Sequence, residues 1–298
     1  MAQIVSFARP LRAERLDQEM AVATEAARHA GRLQMERYER LERIVHKAEH
    51  DVVTEVDELS EQLIINAIRD AFPRDSILAE ESGRSDVVLA EADGHAHGGH
   101  THGGADLPPE SPVDPVDQRV WIVDPLDGTV NYANGIPMFC VSVGLTIGGR
   151  PMIGAVYDPT RDEMFTAQAG MGAKLDGMPI HHPGKEKLID CVVSLSLPRR
   201  GWAKRDHNIR RAIRVSRNMG SAALQLAYLG NGRFDAFVQA GGLSLWDITA
   251  AGLIAIEGGA RLTSLDGGPW FDINRQTKTI NLLGASPPHH QTLLEMLR

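Results

Sequence analysis

One run of eleven residues, Trp121 to Asn131, constrains this chain more than any other stretch. It begins as an apolar strand and then holds two aspartates, Asp124 and Asp127, separated by a Pro-Leu pair. Pro125 fixes φ and lacks an N–H donor, so the strand is predicted to end there, and Gly128 lets the backbone approach a ligand closely. The sequence therefore predicts two carboxylates in one tight turn.

Two acids so close together repel each other unless a cation neutralises them. Hard divalent ions bind carboxylate and backbone carbonyl oxygens, which makes the carbonyl of Leu126 a candidate third ligand. A short helix beginning at Gly128 would add free amides and the positive end of a dipole, which suit a phosphate group. A solvated turn is the alternative, because Asp-Pro-x-Asp-Gly clusters form turns readily. The apolar runs on both sides of this turn favour a ligand site.

The chain has 298 residues, of which 43% are hydrophobic, and its formal net charge is −8. This length is ample for a large core, and the acidic balance disfavours nucleic acid as the primary ligand, with no basic stripe interleaved with aromatics standing out. The two cysteines, Cys140 and Cys191, fall in apolar runs and are expected to be buried free thiols. No apolar segment approaches membrane-spanning length and no secretory signal is recognisable, so the expected location is the cytoplasm.

Apolar periodicity predicts two N-terminal helices. The first covers about residues 13–45, and the second follows Asp57 and ends at Pro73. Short turn signals after residue 139 predict an antiparallel sheet, and helices and strands alternate from about residue 191. These elements predict a layered α/β fold in a single domain, 1–298, with an N-terminal half at about 1–188 and a C-terminal half at about 189–298.

Residues 83–118 interrupt this pattern with a segment rich in Gly, His and Pro. We interpret it as a flexible insertion, because its composition does not suit a packed core. Its four clustered histidines, at positions 95, 97, 100 and 102, are typical of a solvated loop or of a transition-metal site separate from the acidic turn. A metal-storage or metal-delivery protein is therefore one alternative, which deletion of residues 94–104 would test.

Three further acids stand where apolar elements end, which is where layered folds place ligands. Asp57 and Asp247 open predicted helices, and Glu80 ends a short strand. Each has a simpler explanation when it is taken alone, because aspartate is a good helix N-cap and the end of a strand can be solvated.

Four motifs that contain these acids resemble the signatures of the inositol monophosphatase family, in the same order along the chain. They are Asp51-Val52-Val53-Thr54-Glu55-Val56-Asp57, Ala79-Glu80-Glu81-Ser82, Trp121 to Asn131, and Trp246-Asp247-Ile248-Thr249-Ala250-Ala251-Gly252. The resemblance extends over essentially the whole chain. It implies an α-β-α-β-α sandwich and a magnesium-dependent phosphomonoesterase that binds two to three Mg²⁺ ions.

The resemblance also implies which residues hold the metals. The first ion would be bound by Glu80, Asp124 and the Leu126 carbonyl, the second by Asp124, Asp127 and Asp247, and a weaker third by Asp57 and Glu80. A metal pair of this kind stabilises both the attacking and the leaving oxygen of a phosphoryl transfer. Lithium inhibition and a homodimer are further expectations from the family.

The catalytic residues implied in the same way are Glu80, Thr129 and Asp57, with Thr129 and Glu80 orienting and deprotonating the attacking water. The implied substrate contacts are Asp127, Gly128, Thr129, Arg217 and the turn Gly220-Ser221-Ala222.

One departure from the family bears on the substrate. Inositol-specific members carry a glutamate seven residues before the Trp-Asp aspartate, and this chain has Ala240 there. We therefore expect hydrolysis of inositol 1-phosphate or a related small sugar or polyol phosphate, and leave open histidinol phosphate, fructose 1,6-bisphosphate and a 3′-nucleotide. A non-catalytic regulatory binding protein on the same fold is the alternative from another class, although the intact acidic set argues against it.

Overall fold

The computed structural model describes residues 16–38, 44–48, 51–85 and 118–298. The helices within these ranges are α1 Asp17–Arg37, α2 Glu55–Ala71, α3 Thr129–Ala133, α4 Arg199–Ala212, α5 Ala222–Gly230, α6 Leu245–Glu257 and α7 Pro287–Leu297. The strands are β1 Ile44–Ala48, β2 Asp51–Thr54, β3 Ser76–Ala79, β4 Gly83–Ser85, β5 Arg119–Asp127, β6 Cys140–Ile147, β7 Arg150–Asp158, β8 Glu163–Gln168, β9 Ala173–Leu175, β10 Met178–Ile180, β11 Val192–Ser196, β12 Val215–Arg217, β13 Ala236–Leu243, β14 Arg261–Thr263 and β15 Ile280–Ala285.

These elements stack in five layers. Helices α1 and α2 cover one face of an eight-stranded sheet with the order β10-β9-β8-β7-β6-β5-β3-β4. Helices α5 and α6 lie between that sheet and a five-stranded sheet with the order β12-β11-β13-β15-β14, and α4 and α7 cover the outer face of the second sheet. Each helix layer buries an apolar face against a sheet. The fold is thus the predicted α-β-α-β-α sandwich.

Two glycines in the large sheet bring α6 unusually close to it. A Cβ atom at Gly144 of β6 would lie 2.7 Å from the Thr249 side chain, and one at Gly154 of β7 would lie 2.5 Å from the Ala250 carbonyl oxygen. Any side chain at these positions would push the helix outward. The strands β6 and β7 therefore fix the position of α6, the helix that carries Asp247 in its first turn.

The first helix is shorter than predicted. It ends at Arg37, because Tyr38 turns to ψ 131°, and Ile44–Ala48 forms a strand paired antiparallel with β2, with Val45 opposite Val53. The β-branched residues near position 45 pair better across a sheet than along a helix. The C-terminal end of α1 that helical periodicity predicted, at about residue 45, was therefore wrong.

The central strand also differs from the prediction, because β5 does not end at Pro125. It continues to Asp127, and its pairing with β6 is irregular between Asp124 and Asp127. Such an irregularity tolerates proline, since a bulged residue need not donate to the ladder. The Pro125 carbonyl instead accepts a hydrogen bond from Gln34 Nε2 at 2.7 Å.

The strands after residue 139, β6 to β10, pair antiparallel as predicted, and the sheet also contains one parallel pair, β3 with β5. The predicted insertion at 83–118 begins with the short strand β4, and residues 86–117, with all four clustered histidines, lie outside the described residues. Both cysteines are free and buried, as predicted. Among the described residues, no helix is long and apolar enough to span a bilayer.

Candidate active site

The parallel pairing of β3 with β5 brings the first two acids together. Ala79 lies opposite Val123 in the register, and the Glu80 amide donates to the Val123 carbonyl at 3.2 Å. The residue after each of these two is an acid, so Glu80, just past the end of β3, lies beside Asp124 of β5. Their proximity raises the pKa of Asp124, as described below.

Asp127, at the end of β5, is held by the start of α5. Its Oδ2 accepts hydrogen bonds from the Ser221 hydroxyl at 2.5 Å and the Ala223 amide at 2.8 Å, and its Oδ1 accepts from the Ala222 amide at 3.2 Å. Amides at a helix N-terminus are otherwise unpaired and favour negative charge. The helix thus orients the Asp127 carboxylate and partly offsets the cost of burying it.

Asp57 and Asp247 occupy equivalent positions on α2 and α6. Neither is the N-cap; the caps are Thr54 and Ser244, and each aspartate is the third residue of its helix and completes a capping box. Asp57 Oδ2 accepts from the Thr54 amide at 2.9 Å, and Asp247 Oδ2 accepts from the Ser244 amide at 2.6 Å. The same kind of capping box therefore orients both carboxylates. Helix capping accounts for part of the role of each aspartate even when no ligand is bound.

Three of these carboxylates converge. One oxygen each from Asp124, Asp127 and Asp247 lies within 4.8 Å of the others, and Asp124 and Asp127 are only 1% and 8% exposed. Burial, followed by the negative charges of Glu80, Asp127 and Asp247, raises the pKa of Asp124 well above its usual range. Burial, then the charge of Asp127, raises the pKa of Asp247 in the same way.

Asp127 behaves somewhat differently from its neighbours. Burial raises its pKa, while the hydrogen bonds from Ser221, Ala223 and Ala222 act in the opposite direction and favour the ionised form. An oxygen-only donor set that concentrates buried negative charge fits a hard divalent cation, which would remove the repulsion. The acidic cluster, Asp124 with Asp127 and Asp247, can therefore hold a metal ion.

Thr129 stands at the first position of α3, directly after Gly128. Gly128 has φ 100°, and a Cβ there would lie 2.9 Å from the Met138 carbonyl oxygen, so this turn requires glycine. The Thr129 hydroxyl lies 2.9 Å from Asp57 Oδ1 and 3.0 Å from the Leu126 carbonyl oxygen. The Thr129 hydroxyl thus links the start of α3 to Asp57 on α2 and to the Leu126 carbonyl near the end of β5.

A model of the inositol monophosphatase family matches residues 15–297 of this chain. The chain belongs to this family. Among its relatives, inositol monophosphatase 1 of Solanum lycopersicum is 33% identical over 281 residues, which cover 92% of both chains. The Nus factor SuhB of Pasteurella multocida is 34% identical over 255 residues, which cover 83% of this chain and 85% of the relative.

Solved structures of similar proteins show the same fold. The extragenic suppressor protein SuhB from Bartonella henselae aligns with a TM-score of 0.78 at 29% identity, over 95% of this chain and 99% of that chain. The inositol monophosphatase from Anabaena aligns with a TM-score of 0.72 at 31% identity, over 95% and 96% of the two chains.

Two residues that sequence reasoning missed organise this family site. Glu61, one helical turn after Asp57, is 4% exposed, and its carboxylate accepts hydrogen bonds from the amides of Glu81 at 2.8 Å and Ser82 at 2.9 Å. Asn131 Nδ2 lies 2.7 Å from the carbonyl oxygens of both Met138 and Met219. The i, i+4 spacing from Asp57 was the available signal for Glu61, and the position of Asn131 inside the central motif was the signal for Asn131.

The predicted substrate turn reaches the site, but the arginine ahead of it does not join the acidic cluster. Gly220 packs against Asn131, and Ser221 and Ala222 bind Asp127. Arg217 is exposed, and its Nη1 donates to the neighbouring Ser216 carbonyl at 3.0 Å.

Proposed function

We propose that this member of the family is a Mg²⁺-dependent phosphomonoesterase that hydrolyses inositol 1-phosphate or a related small sugar or polyol phosphate. The observation that carries the proposal is the convergence of Asp124, Asp127 and Asp247 within 4.8 Å, with Asp124 and Asp127 buried and Asp247 half-buried. Close, buried carboxylates are costly for folding alone, and a divalent cation with a phosphate ligand offsets that cost.

The metal ligands that we propose are acids that lie next to one another in the structure. Asp124 would be shared between two ions, with Glu80 and the Leu126 carbonyl on one side and Asp127 and Asp247 on the other, and a third ion would lie by Asp57 and Glu80. When bound, the ions would supply charge stabilisation for the phosphoryl group and lower the pKa of water. Lithium is expected to inhibit by competing for the second position.

The chain's own groups would orient the reactants. The Thr129 hydroxyl, already bonded to Asp57, would direct a water toward the phosphorus, and Glu80 would accept its proton. The amides of Gly128 and Thr129, at the start of α3, would bind phosphate oxygens. The water oxygen would bond to phosphorus, the ester P–O bond would break, and the alcohol would leave with a proton.

The substrate class depends on the residues around the alcohol part of the substrate. Asp127 and the Gly220 to Ala222 turn would face the alcohol part of the substrate, with Arg217 at the rim. Ala240 offers no carboxylate to a ring hydroxyl, and a Cβ at Gly241 would meet no atom within 4 Å, while one at Gly242 would meet only Gln239 Nε2, at 3.8 Å. This opening supports testing substrates larger than inositol phosphate. We further propose a cytoplasmic homodimer, as expected for the family.

The test is phosphate release from inositol 1-phosphate, histidinol phosphate, fructose 1,6-bisphosphate and 3′-phosphoadenosine 5′-phosphate, with and without Mg²⁺. Asp124→Asn is expected to abolish Mg²⁺-dependent release on the best substrate. Asp70→Asn, which removes an exposed carboxylate late in α2, is the matched control and should retain full activity. Release that is independent of Mg²⁺, or that survives Asp124→Asn, would overturn the proposal.

The alternative is a regulatory binding protein, which is favoured by the 31–34% identity to relatives named Nus factor SuhB. Absence of turnover on every substrate, together with Mg²⁺ binding that Asp124→Asn removes, would favour this alternative.

A further inference from the structure

One segment has a charge opposite to that of the whole chain. Residues 199–217, which comprise α4 and β12, contain eight cations, seven of them arginine, and one acid. The segment therefore carries a net charge of +7 in a chain whose net charge is −8. The net charge of the whole chain does not indicate this segment. The segment also contains an aromatic residue, Trp202, and the Arg205 guanidinium lies 5.3 Å from the centre of its ring.

The charges lie on the outside of the molecule. Helix α4 belongs to the outermost layer and buries only Ile209, and β12 is the edge strand of the five-stranded sheet. Lys204 and Arg211 are seven residues apart, so they share one helix face, roughly opposite Ile209. Both are exposed, and no described residue forms an ion pair or hydrogen bond with either side chain.

Local stability does not account for this pattern. Arg199 and Arg200 precede the regular part of α4, because Arg200 (ψ 120°) and Gly201 (φ 80°) are not helical; positive charge at this end opposes the helix dipole, and the first turn contains no acid. Among the described residues, two of the eight cations form ion pairs, Arg210 with Asp206 at 2.7 Å and Arg214 with Asp190 at 2.9 Å, and Arg205 donates to the Arg298 main-chain oxygen at 2.9 Å. Cations on the edge strand can deter strand pairing, but this does not explain those on α4.

We propose that the basic segment 199–217 is a docking surface for the phosphate backbone of a nucleic acid. Guanidinium groups bind phosphate oxygens through two parallel hydrogen bonds, which matches the preponderance of arginine. Each neutralised phosphate releases counterions, so a local cluster binds even though the whole chain is acidic. The surface binds independently of sequence, because a single helix face of long cations contacts backbone rather than base edges.

Two other anionic partners fit less well. A membrane-surface helix inserts an apolar face into the lipid, but Ile209 is buried within the fold and Trp202 packs partly against the same core. An acidic polypeptide shares the charge but lacks the regular phosphate spacing that a row of arginines can follow.

The experiment measures binding of the full chain to a labelled single-stranded oligonucleotide of about 20 nucleotides by fluorescence anisotropy over a range of KCl concentrations. The test variant is Lys204→Glu with Arg211→Glu. The matched control is Arg74→Glu with Lys174→Glu, which changes the net charge equally at two exposed residues outside the basic segment. Polyglutamate and phosphatidylserine vesicles are measured alongside.

We expect the wild-type chain to bind with an affinity that falls as salt rises. The test variant should bind at least tenfold more weakly, with a salt slope smaller by about 0.7 for each lost contact, and the control should stay within about twofold of wild type. Absence of wild-type binding at low salt, equal losses in both variants, or tighter binding to polyglutamate or to vesicles would each overturn the proposal. If circular dichroism shows that the test variant is unfolded, Lys204→Gln with Arg211→Gln replaces it under the same criteria.

Discussion

The hydroxyl of Thr129 donates a hydrogen bond to Asp57 Oδ1 across 2.9 Å, joining residues 72 positions apart in the sequence. If Thr129 orients the attacking water, Thr129→Val should lower kcat about 100-fold or more on the best substrate, with a smaller change in KM. Thr129→Ser keeps the hydroxyl and should restore kcat to within about tenfold of wild type. Equal kcat values for the Val and Ser variants would show that the hydroxyl has no role in turnover.

Glu61 should act as a positioning residue for the turn that follows β3. Its carboxylate accepts hydrogen bonds from two amides, and Glu61→Gln replaces one acceptor oxygen with a donor, leaving a part-buried amide unpaired. We expect a loss of about 1–3 kcal/mol in the free energy of unfolding, measured by urea titration. We also expect a lower kcat, because Glu80 lies at the start of the same turn.

The control for Glu61→Gln is Asp70→Asn on the same helix, which should change neither quantity. Normal turnover by a destabilised Glu61→Gln protein would show that the turn does not need this anchor to place Glu80.

Gly220 should be intolerant of a side chain for two separable reasons. Its φ of 79° strains any L-residue, and a Cβ there would lie 2.8 Å from Asn131 Nδ2. Gly172 has nearly the same φ, 77°, but no atom within 4 Å of its Cβ position. Gly172→Ala thus measures backbone strain alone, at about 1 kcal/mol.

Gly220→Ala should lower the melting temperature more than Gly172→Ala does. It should also raise KM, because the displaced Asn131 no longer holds the turn beside α3. The same loss of stability in both variants would mean that the Asn131 contact is easily relieved.

His290 should make stability depend on pH. It is fully buried, its Nε2 lies 3.0 Å from Thr263 Oγ1, and burial, with a smaller effect from Arg261, lowers its pKa from 6.5 to about 4. Between these values the unfolded chain binds a proton that the folded chain does not. Stability from this group is therefore present above pH 6.5 and is lost as the pH falls toward 4, by up to about 3 kcal/mol.

His290→Gln should flatten the dependence of the unfolding free energy on pH in that window. His181→Gln, at an exposed histidine, is the control, and it should leave the pH profile as it is in wild type. A wild-type profile that matches that of His290→Gln would refute the assignment.

The sequence was sufficient to predict the sandwich because its elements are marked by local patterns and its acids by four ordered motifs. It could not predict that β5 passes through Pro125, since the irregular pairing with β6 depends on a distant strand. The end of α1 was missed for a similar reason, because β1 exists only through pairing with β2. Glu61 resembled a solvated acid on a helix, and only the tertiary structure brings the amides of Glu81 and Ser82 to it.

The two capping boxes have a consequence for how such chains diverge. Asp57 and Asp247 each close the first turn of a helix that the fold needs, so replacing either one costs stability whether or not the protein turns over a substrate. A descendant that abandoned catalysis would still be under selection to keep both aspartates. Asp124 caps no helix. We therefore expect Asp124 to be the first of these three aspartates to be replaced in a relative that has lost catalysis.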